Sequence, residues 1–289
     1  MSTRTMTRRP GKSAEEKRAQ AEALRDSICE QVELLHISER WAAFLKFARS
    51  FHAYSLNNVL LILSQMPHAT QVAGLRKWQQ LGRQVRKGEK AIHIFGYSTK
   101  KITEEDENGD DVEKRVPRFP VLSVFDIGQT DLIDGAQDTS TVTALLTGAD
   151  DFGVMDTLTS YLVEEGWRVQ LRLIHGSKNG YTNPEEMAVA LDVGLSPEHR
   201  AKTLIHETAH ILLGHTDNPA EYIQHRGQME TEAESVAYIV AGLEGFDTSA
   251  YSIGYITGWS NGDTELIQAT AARVLRTAHQ IAEILNPTH

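Results

Sequence analysis

The sequence predicts an α+β fold that divides into two domains. The chain has 289 residues, more than one small hydrophobic core usually organises. Its apolar residues recur at helical spacing in some segments and alternate as in strands in others. Its charge is segregated, with a balance of +10 over residues 1–101, −7 over 102–135 and −13 over 136–289. Asymmetry of this size indicates that the two halves have different partners.

The first half is predicted to combine three helices with a few strands. A capping box of Ser13 and Glu16 begins the first helix, Ser38 caps the second, and the third, "LNNVLLILSQ", ends before Pro67. A short extended piece near "TQVAG" and a turn-like "LRKWQQLGRQVRKGEK" follow. "AIHIFGY" and "FPVLSVFD" alternate as strands do, and "EEDENGDD" between them is typical of a solvated hairpin tip.

The second half is predicted to be mainly helical with a small sheet. Helices are expected in "DFGVMDTLTSYLVEEGW", after Ser196, from Met229 to Leu243 and from Thr264 to Leu285, and "RVQLRLI", "GYTN" and "MAVALDV" predict a short β-meander. Small polar residues indicate a linker at 136–150. This leaves a disordered basic arm at 1–17, one domain at 18–135 and another at 151–289.

The stretch "TLIHETAHILLGH", residues 203–215, carries the chemistry of the second half. His206 and His210 are four residues apart, so both imidazoles lie on one face of a helix, with Glu207 beside the first. This HExxH arrangement supplies two ligands for a divalent metal ion and a general base. The ion would lower the pKa of a water molecule, and the carboxylate of Glu207 would take its proton.

A third ligand is predicted in the later stretch "ETEAESVAYIVAG". Glu230 and Glu234 are again four residues apart, on a helix face that small residues continue. We assign Glu230 as the third ligand and Glu234 as the acceptor that orients a histidine, although the sequence also allows the reverse. Glu232 is expected to point away into solvent. His215 is an alternative ligand, but its position after Gly214 favours a place beyond the helix end.

Two imidazoles and one carboxylate predict Zn²⁺, and Mn²⁺ or another divalent ion would also be accepted. The competing interpretation is that the histidines are ordinary hydrogen-bonded helix residues and that the acidic run is a solvated face. The second helix with its paired glutamates favours the metal site.

The basic half is predicted to contact nucleic acid. Between residues 76 and 101 there are eight basic residues and one acidic residue, with Trp78, Phe95 and Tyr97 among them. Cations contact phosphates and aromatic rings stack on bases, a combination that binds single strands without reading sequence. A solvated basic loop with a buried Trp78 is the alternative. The predicted contacts are Arg76, Lys77, Trp78, Arg83, Arg86, Lys87 and Lys90.

The cysteine count and the apolar runs indicate the cellular compartment. One cysteine, Cys29, excludes an internal disulfide and a cysteine-based zinc site. The longest apolar run, 59–63, is far shorter than a membrane span, and the basic N-terminus lacks the apolar core of a secretory signal. We therefore expect a cytoplasmic protein that does not contact membranes.

These residues resemble a known family. "YSLNNVLLILSQMPHATQVAGLRKWQQLGRQVRKGEKAIHIFGY" with "VFDIGQT" is similar to the N-terminal domain of ArdC-like antirestriction proteins, which also opens plasmid TraC-type primases. "HETAH", "ETEAES" and "YITGW" resemble their metallopeptidase domain, itself similar to the ImmA/IrrE peptidases. The resemblance covers roughly residues 18–286. The chain departs from the family after the second histidine, where "ILLGH" replaces frequent aromatic residues.

The resemblance implies a single-stranded-DNA-binding domain fused to a zincin-like peptidase domain, carried by mobile elements, that shields incoming DNA from restriction. It also implies His206, His210 and Glu230 as ligands and Glu207 as base. Two alternatives stay open: a non-catalytic protein that coats single-stranded DNA and has a structural metal site, and an ImmA-like protease that cleaves a regulator in the host. Glu207 favours an enzyme, because a structural site needs ligands but no base.

Overall fold

The computed structural model of the chain describes residues 13–105, 111–136, 153–176, 178–248, 260 and 262–287. The predictions for the basic arm before residue 13, the hairpin tip at 106–110, most of the linker and the "YITGW" motif lie outside these residues. Within them, no helix is long and apolar enough to cross a bilayer.

Three helices open the described chain: α1 (Ala14–Leu34), α2 (Ser38–Phe51) and α3 (Leu56–Gln65). The predicted capping box is confirmed, because the Ser13 hydroxyl accepts from the Glu16 amide and the Glu16 carboxylate accepts from the Ser13 amide. The inner faces of α2 and α3 bury large apolar side chains, among them Trp41, Phe44 and Leu60.

Among its described residues, the first half also holds three small sheets, one short α-helix and a 3-10 turn at Ile127–Gln129. The elements are β1 (Val72–Ala73), α4 (Leu75–Gln80), β2 (Arg83–Val85), β3 (Ile92–Phe95), β4 (Ser98–Glu105), β5 (Asp111–Arg118), β6 (Val121–Asp126) and β7 (Thr130–Leu132). The sheets have the orders β1-β6-β3, β2-β7 and β4-β5. The segment predicted as a turn is α4 followed by β2, because Trp78 is fully buried and anchors α4 by an indole hydrogen bond of 2.8 Å to the Phe125 carbonyl.

The second half consists of α5 (Val154–Glu164), β8 (Arg168–Arg172), β9 (Gly180–Asn183), β10 (Ala188–Asp192), α6 (Pro197–Leu212), α7 (Pro219–Leu243) and α8 (Thr264–Leu285). The predicted meander is wrong in its order. The sheet runs β8-β10-β9, with β10 parallel to β8 and antiparallel to β9. β10 takes the centre because it is apolar almost throughout, with Val189 and Leu191 fully buried.

Helix α7 begins ten residues earlier than the predicted start at Met229. Asn218 caps it by accepting from the Ala220 and Glu221 amides, and Pro219 occupies its first turn. The helix is kinked at His225, where the backbone leaves helical angles (φ −113°, ψ 22°). This polar first part has no apolar periodicity, so the sequence pattern could not reveal it.

The two halves share one hydrophobic core. Helix α2 packs against α7, where the Trp41 indole donates to the Ser235 hydroxyl at 3.1 Å and the Arg49 guanidinium donates to the Gly242 carbonyl at 2.7 Å. A Cβ at position 242 would lie 2.2 Å from Arg49 Nε, so glycine permits this crossing. The domain boundaries stay a prediction, but the helices assigned to the first domain complete the core of the second.

Candidate metal centre

Helix α6 and strand β9 form one side of the site. Ser196 caps α6 by accepting from the His199 amide at 3.3 Å, and Pro197 occupies the first turn. A Cβ at position 180 would lie 2.7 Å from Thr203 Cγ2, so Gly180 lets β9 approach the helix closely. The outward face of α6 therefore borders a cavity of about 610 Å³ along β9.

Three predicted ligands converge in this cavity. The Nε2 atoms of His206 and His210 lie 3.1 Å apart. Glu230 Oε2 lies 3.6 Å from the first and 3.8 Å from the second. All three donor atoms lie within 4.8 Å of one another. Two imidazoles and a carboxylate so arranged fit the donor set of a divalent cation that keeps an open coordination position.

The His206 ring is oriented by Glu234, in the position predicted for a supporting acceptor. Its Nδ1 lies 3.2 Å from Glu234 Oε2, so Nδ1 carries the hydrogen and Nε2 faces the cavity. Burial by itself would lower the pKa of His206, but the carboxylates of Glu230 and Glu234 outweigh it and raise this pKa to about 10. Without metal, the carboxylates thus hold a proton on His206.

Glu230 is fixed by a residue that the sequence analysis did not identify. The Tyr222 hydroxyl, two helical turns earlier on α7, donates to its carboxylate. The hydrogen bond from His206, which keeps its proton in the absence of metal, holds the pKa of Glu230 far below its usual range. Burial and the neighbouring Glu230 carboxylate raise the pKa of Tyr222, which therefore stays a donor.

Behind His210 lies a buried hydrogen-bond chain. His215 Nδ1 is 2.9 Å from His210 Nδ1, and His215 Nε2 is 2.9 Å from Glu232 Oε2. The Glu232 carboxylate can only accept, so His215 Nε2 donates to it and His215 Nδ1 accepts from His210. This order leaves the lone pair of His210 Nε2 directed into the cavity. His215 lies beyond the helix end, as favoured, and contacts a predicted ligand instead of replacing one.

The expectation that Glu232 is solvated is wrong. Glu232 is 0% exposed, because the side of α7 opposite Glu230 packs against α8. The carboxylate accepts from Thr270 at 3.1 Å and pairs with Arg273 at 3.3 Å. Burial alone would raise the pKa of Glu232, but the hydrogen bond from His215 and the charge of Arg273 lower it below its usual value.

Glu207, the predicted base, lies on the cavity wall. Its carboxylate accepts from the Thr182 hydroxyl of β9 at 2.7 Å, which holds one oxygen toward the strand. Tyr181, Asn183 and the 79% exposed Ile223 complete the walls. The base, the three donors and an open cavity are therefore adjacent.

Metal content is the direct measure of this cluster. We expect about one divalent ion per chain in the wild type and none in the His206→Ala/His210→Ala variant, because two of three ligands are removed. Since His206 holds a proton up to a pKa of about 10, metal uptake should release a proton and strengthen as pH rises toward that value. Elemental analysis after dialysis at several pH values measures both effects.

His199→Ala is the matched control, since this exposed histidine lies on the same helix outside the cluster. Stoichiometric metal in the double variant would rule out the ligand assignment.

The residues predicted to contact nucleic acid differ in their burial and in their ion pairs. Trp78 is fully buried and has no face for a base. Arg86 is paired with Glu89 at 3.0 Å and Asp131 at 3.2 Å, and Arg83 donates to the Thr130 hydroxyl. Four cations make no ion pair with any described residue: Arg76, Lys77, Lys87 and Lys90.

Both halves of the chain match known sequence families. Residues 18–125 match the N-terminal domain of anti-restriction factor ArdC, and residues 166–242 match the IrrE N-terminal-like domain of the M78 peptidases. An uncharacterized protein of Bacillus anthracis is 29% identical over 273 residues, which cover 80% of this chain and 45% of that protein. The chain thus spans less than half the length of this relative.

Two crystal structures of the antirestriction ArdC protein from R388 plasmid are similar at 21% identity. The metal-free one has a TM-score of 0.47 and covers 81% of this chain and 85% of its own, and the Mn(II)-bound one has a TM-score of 0.46 and covers 81% and 89%. The family matches therefore show two similarities within one chain: residues 18–125 are similar to an ArdC N-terminal domain, and residues 166–242 are similar to an IrrE N-terminal-like domain.

Proposed function

We propose that the chain is a metal-dependent peptidase-like protein that binds single-stranded DNA and protects incoming DNA of a mobile element from restriction. The convergence of His206, His210, Glu230 and Glu207 in one open cavity carries the proposal. The ion is Zn²⁺, with Mn²⁺ as the alternative that the same donors accept.

The chain's own residues divide the work of hydrolysis. His206, His210 and Glu230 would hold the ion, which when bound polarises a water molecule and the substrate carbonyl. Glu207 accepts the proton of the attacking water and returns it to the amine that leaves as the peptide bond breaks. Thr182 keeps the carboxylate of Glu207 aimed during both transfers. Glu234 and His215 keep the two imidazoles in the orientation that directs Nε2 to the ion.

The substrate is an extended peptide segment of a host protein. Among the described strands, β9 is an edge strand of its three-stranded sheet, and all four of its residues line the cavity. An edge strand offers unpaired backbone groups that an extended peptide can use as an added strand. The peptide bond would then lie beside Glu207. Replacement of Glu207 by Gln tests the hydrolytic half of the proposal.

Binding of single-stranded DNA rests on the cations of the first half that have no acidic partner among the described residues. Reversal of Lys77, Lys87 and Lys90 to Glu should weaken binding of all sequences alike and flatten its salt dependence, because each contact to a phosphate releases counterions. The full chain has to be used, since the first half shares its core with α7 and α8. Arg25→Glu, on helix α1, is the control. Unchanged affinity and salt dependence in the triple variant would remove these residues from the interface.

A further inference from the structure

The hairpin of β4 and β5 extends the sheet of the first half into a two-stranded arm. Strand β3 pairs with β6 up to the Phe95–Val121 pair, and the Gly96 amide donates to the Pro120 carbonyl at 2.8 Å. β4 and β5 continue the same two chain segments but pair only with each other among the described strands. The arm therefore has two faces without a neighbouring strand or sheet in the described part of the chain.

Two large aromatic side chains lie exposed at the base of this arm. Tyr97 is 72% exposed and Phe119 is 61% exposed. Their rings contact each other edge to face, with centroids 5.9 Å apart and planes at 60°. Neither ring belongs to the buried core. Two adjoining exposed rings offer flat apolar surface to a ligand that can stack.

Cations follow the aromatic pair along the arm. Lys101 lies opposite Arg115 in the ladder, and both share the face of Tyr97 and Phe119, because side chains alternate in a strand. The four-residue offset from the rings corresponds to about 13 Å. Lys101 is engaged by Glu113 at 2.7 Å, whereas Arg115 makes no ion pair with any described residue. Arg118 lies opposite Ser98 and, by the same alternation, on the other face of the arm.

The sequence that joins β4 to β5 has the opposite charge. Residues 104–113 include seven acidic side chains and no basic one. An acidic segment repels phosphates, so a polyanion is kept toward the part of the arm that carries the rings and Arg115. An acidic protein partner would be attracted by the same cations. Its carboxylates, however, do not stack on aromatic rings, whereas nucleic-acid bases do, so the two exposed rings favour a nucleic acid.

We propose that the base of this arm is a stacking platform for single-stranded DNA, with Tyr97 and Phe119 contacting bases and Arg115, on the same face, contacting a phosphate. The proposal rests on the DNA binding proposed above and supplies the aromatic component that buried Trp78 cannot provide. Aromatic stacking tolerates any base, so the platform binds strands without reading their sequence.

The two kinds of contact leave different signatures in one measurement. Binding of a labelled oligothymidylate to the full-length protein is followed by fluorescence anisotropy over a series of salt concentrations. Tyr97→Ala/Phe119→Ala should weaken binding about tenfold or more, with the salt slope unchanged, since stacking releases no counterions. Arg115→Ala should lower the slope by about 0.7, the amount expected for one phosphate that is no longer neutralised.

Two further variants separate stacking from loss of structure. Tyr97→Trp/Phe119→Trp keeps the ring faces and should bind like the wild type, and Leu173→Ala removes an apolar side chain that is 69% exposed elsewhere. Binding by the double alanine variant within about twofold of the wild type overturns the platform, because stacking on even one base contributes more than that. If the wild type itself binds no single-stranded DNA, the DNA-binding half of the proposed function fails together with the platform.

Discussion

The Glu207→Gln variant is expected to lose hydrolytic activity by roughly a hundredfold or more while it keeps its metal and its DNA affinity. The amide nearly preserves the size of the side chain and can still accept the Thr182 hydrogen bond. It cannot take a proton from the attacking water. His206, His210 and Glu230 are untouched, so the cation is held as before.

Three readouts on wild type and variant decide between the two functions: self-cleavage, loss of co-expressed host proteins, and survival of transferred DNA in a restricting host. Glu185→Gln is the matched control, because this exposed carboxylate lines the same cavity. If protection disappears in the variant, the peptidase chemistry is the function. If protection persists and neither protein cleaves anything, the enzyme hypothesis fails and coating of DNA explains protection.

Replacement of Glu232 by Ala should lower the free energy of unfolding by about 3 kcal/mol, the lower end of the range for breaking a buried ion pair. The carboxylate is fully buried, and its removal leaves His215 and Thr270 without their acceptor. We expect the lower end of this range because the Arg273 side chain is 37% exposed, so water can solvate its charge once the carboxylate is removed. Urea unfolding measures the change, and Glu164→Ala, an exposed carboxylate at the end of α5, is the control.

The effect of Glu232 should depend on pH in a defined direction. Its pKa in the folded protein lies below the usual 4.5, so its contribution to stability is complete above that value and is lost as the solution is acidified. The difference in unfolding free energy between the wild type and the variant should therefore become smaller at low pH. If the difference in unfolding free energy stays constant on acidification, the decrease in stability comes from the space left by the removed side chain and not from the loss of its charge.

Local patterns predicted the parts of this structure that depend on spacing along the chain. Both ends of α8 were predicted, since Asp263 caps the helix and its apolar residues repeat regularly. The cluster of His206, His210 and Glu230 was predicted because pairs four residues apart share a helix face.

Contacts between distant elements were beyond such patterns. Glu232 does point away from Glu230, as its spacing requires, but only the packing of α8 turns that side into the interior. Thr182 and Tyr222 were missed because a threonine in a strand and a tyrosine in an unpatterned helix start carry no local signal of their partners. From composition alone, Trp78 could be a buried core residue or an exposed ring on which bases stack. Its complete burial shows that it is a core residue.

The interlock of α2 with α7 constrains how such genes can be recombined. Trp41 and Arg49 reach across to the helix that carries Glu230 and Glu234, so each half covers apolar surface that the other exposes when alone. A shuffled gene that kept one half would encode a polypeptide with a bare apolar face, which favours aggregation. In this chain the two halves are therefore expected to depend on each other for folding.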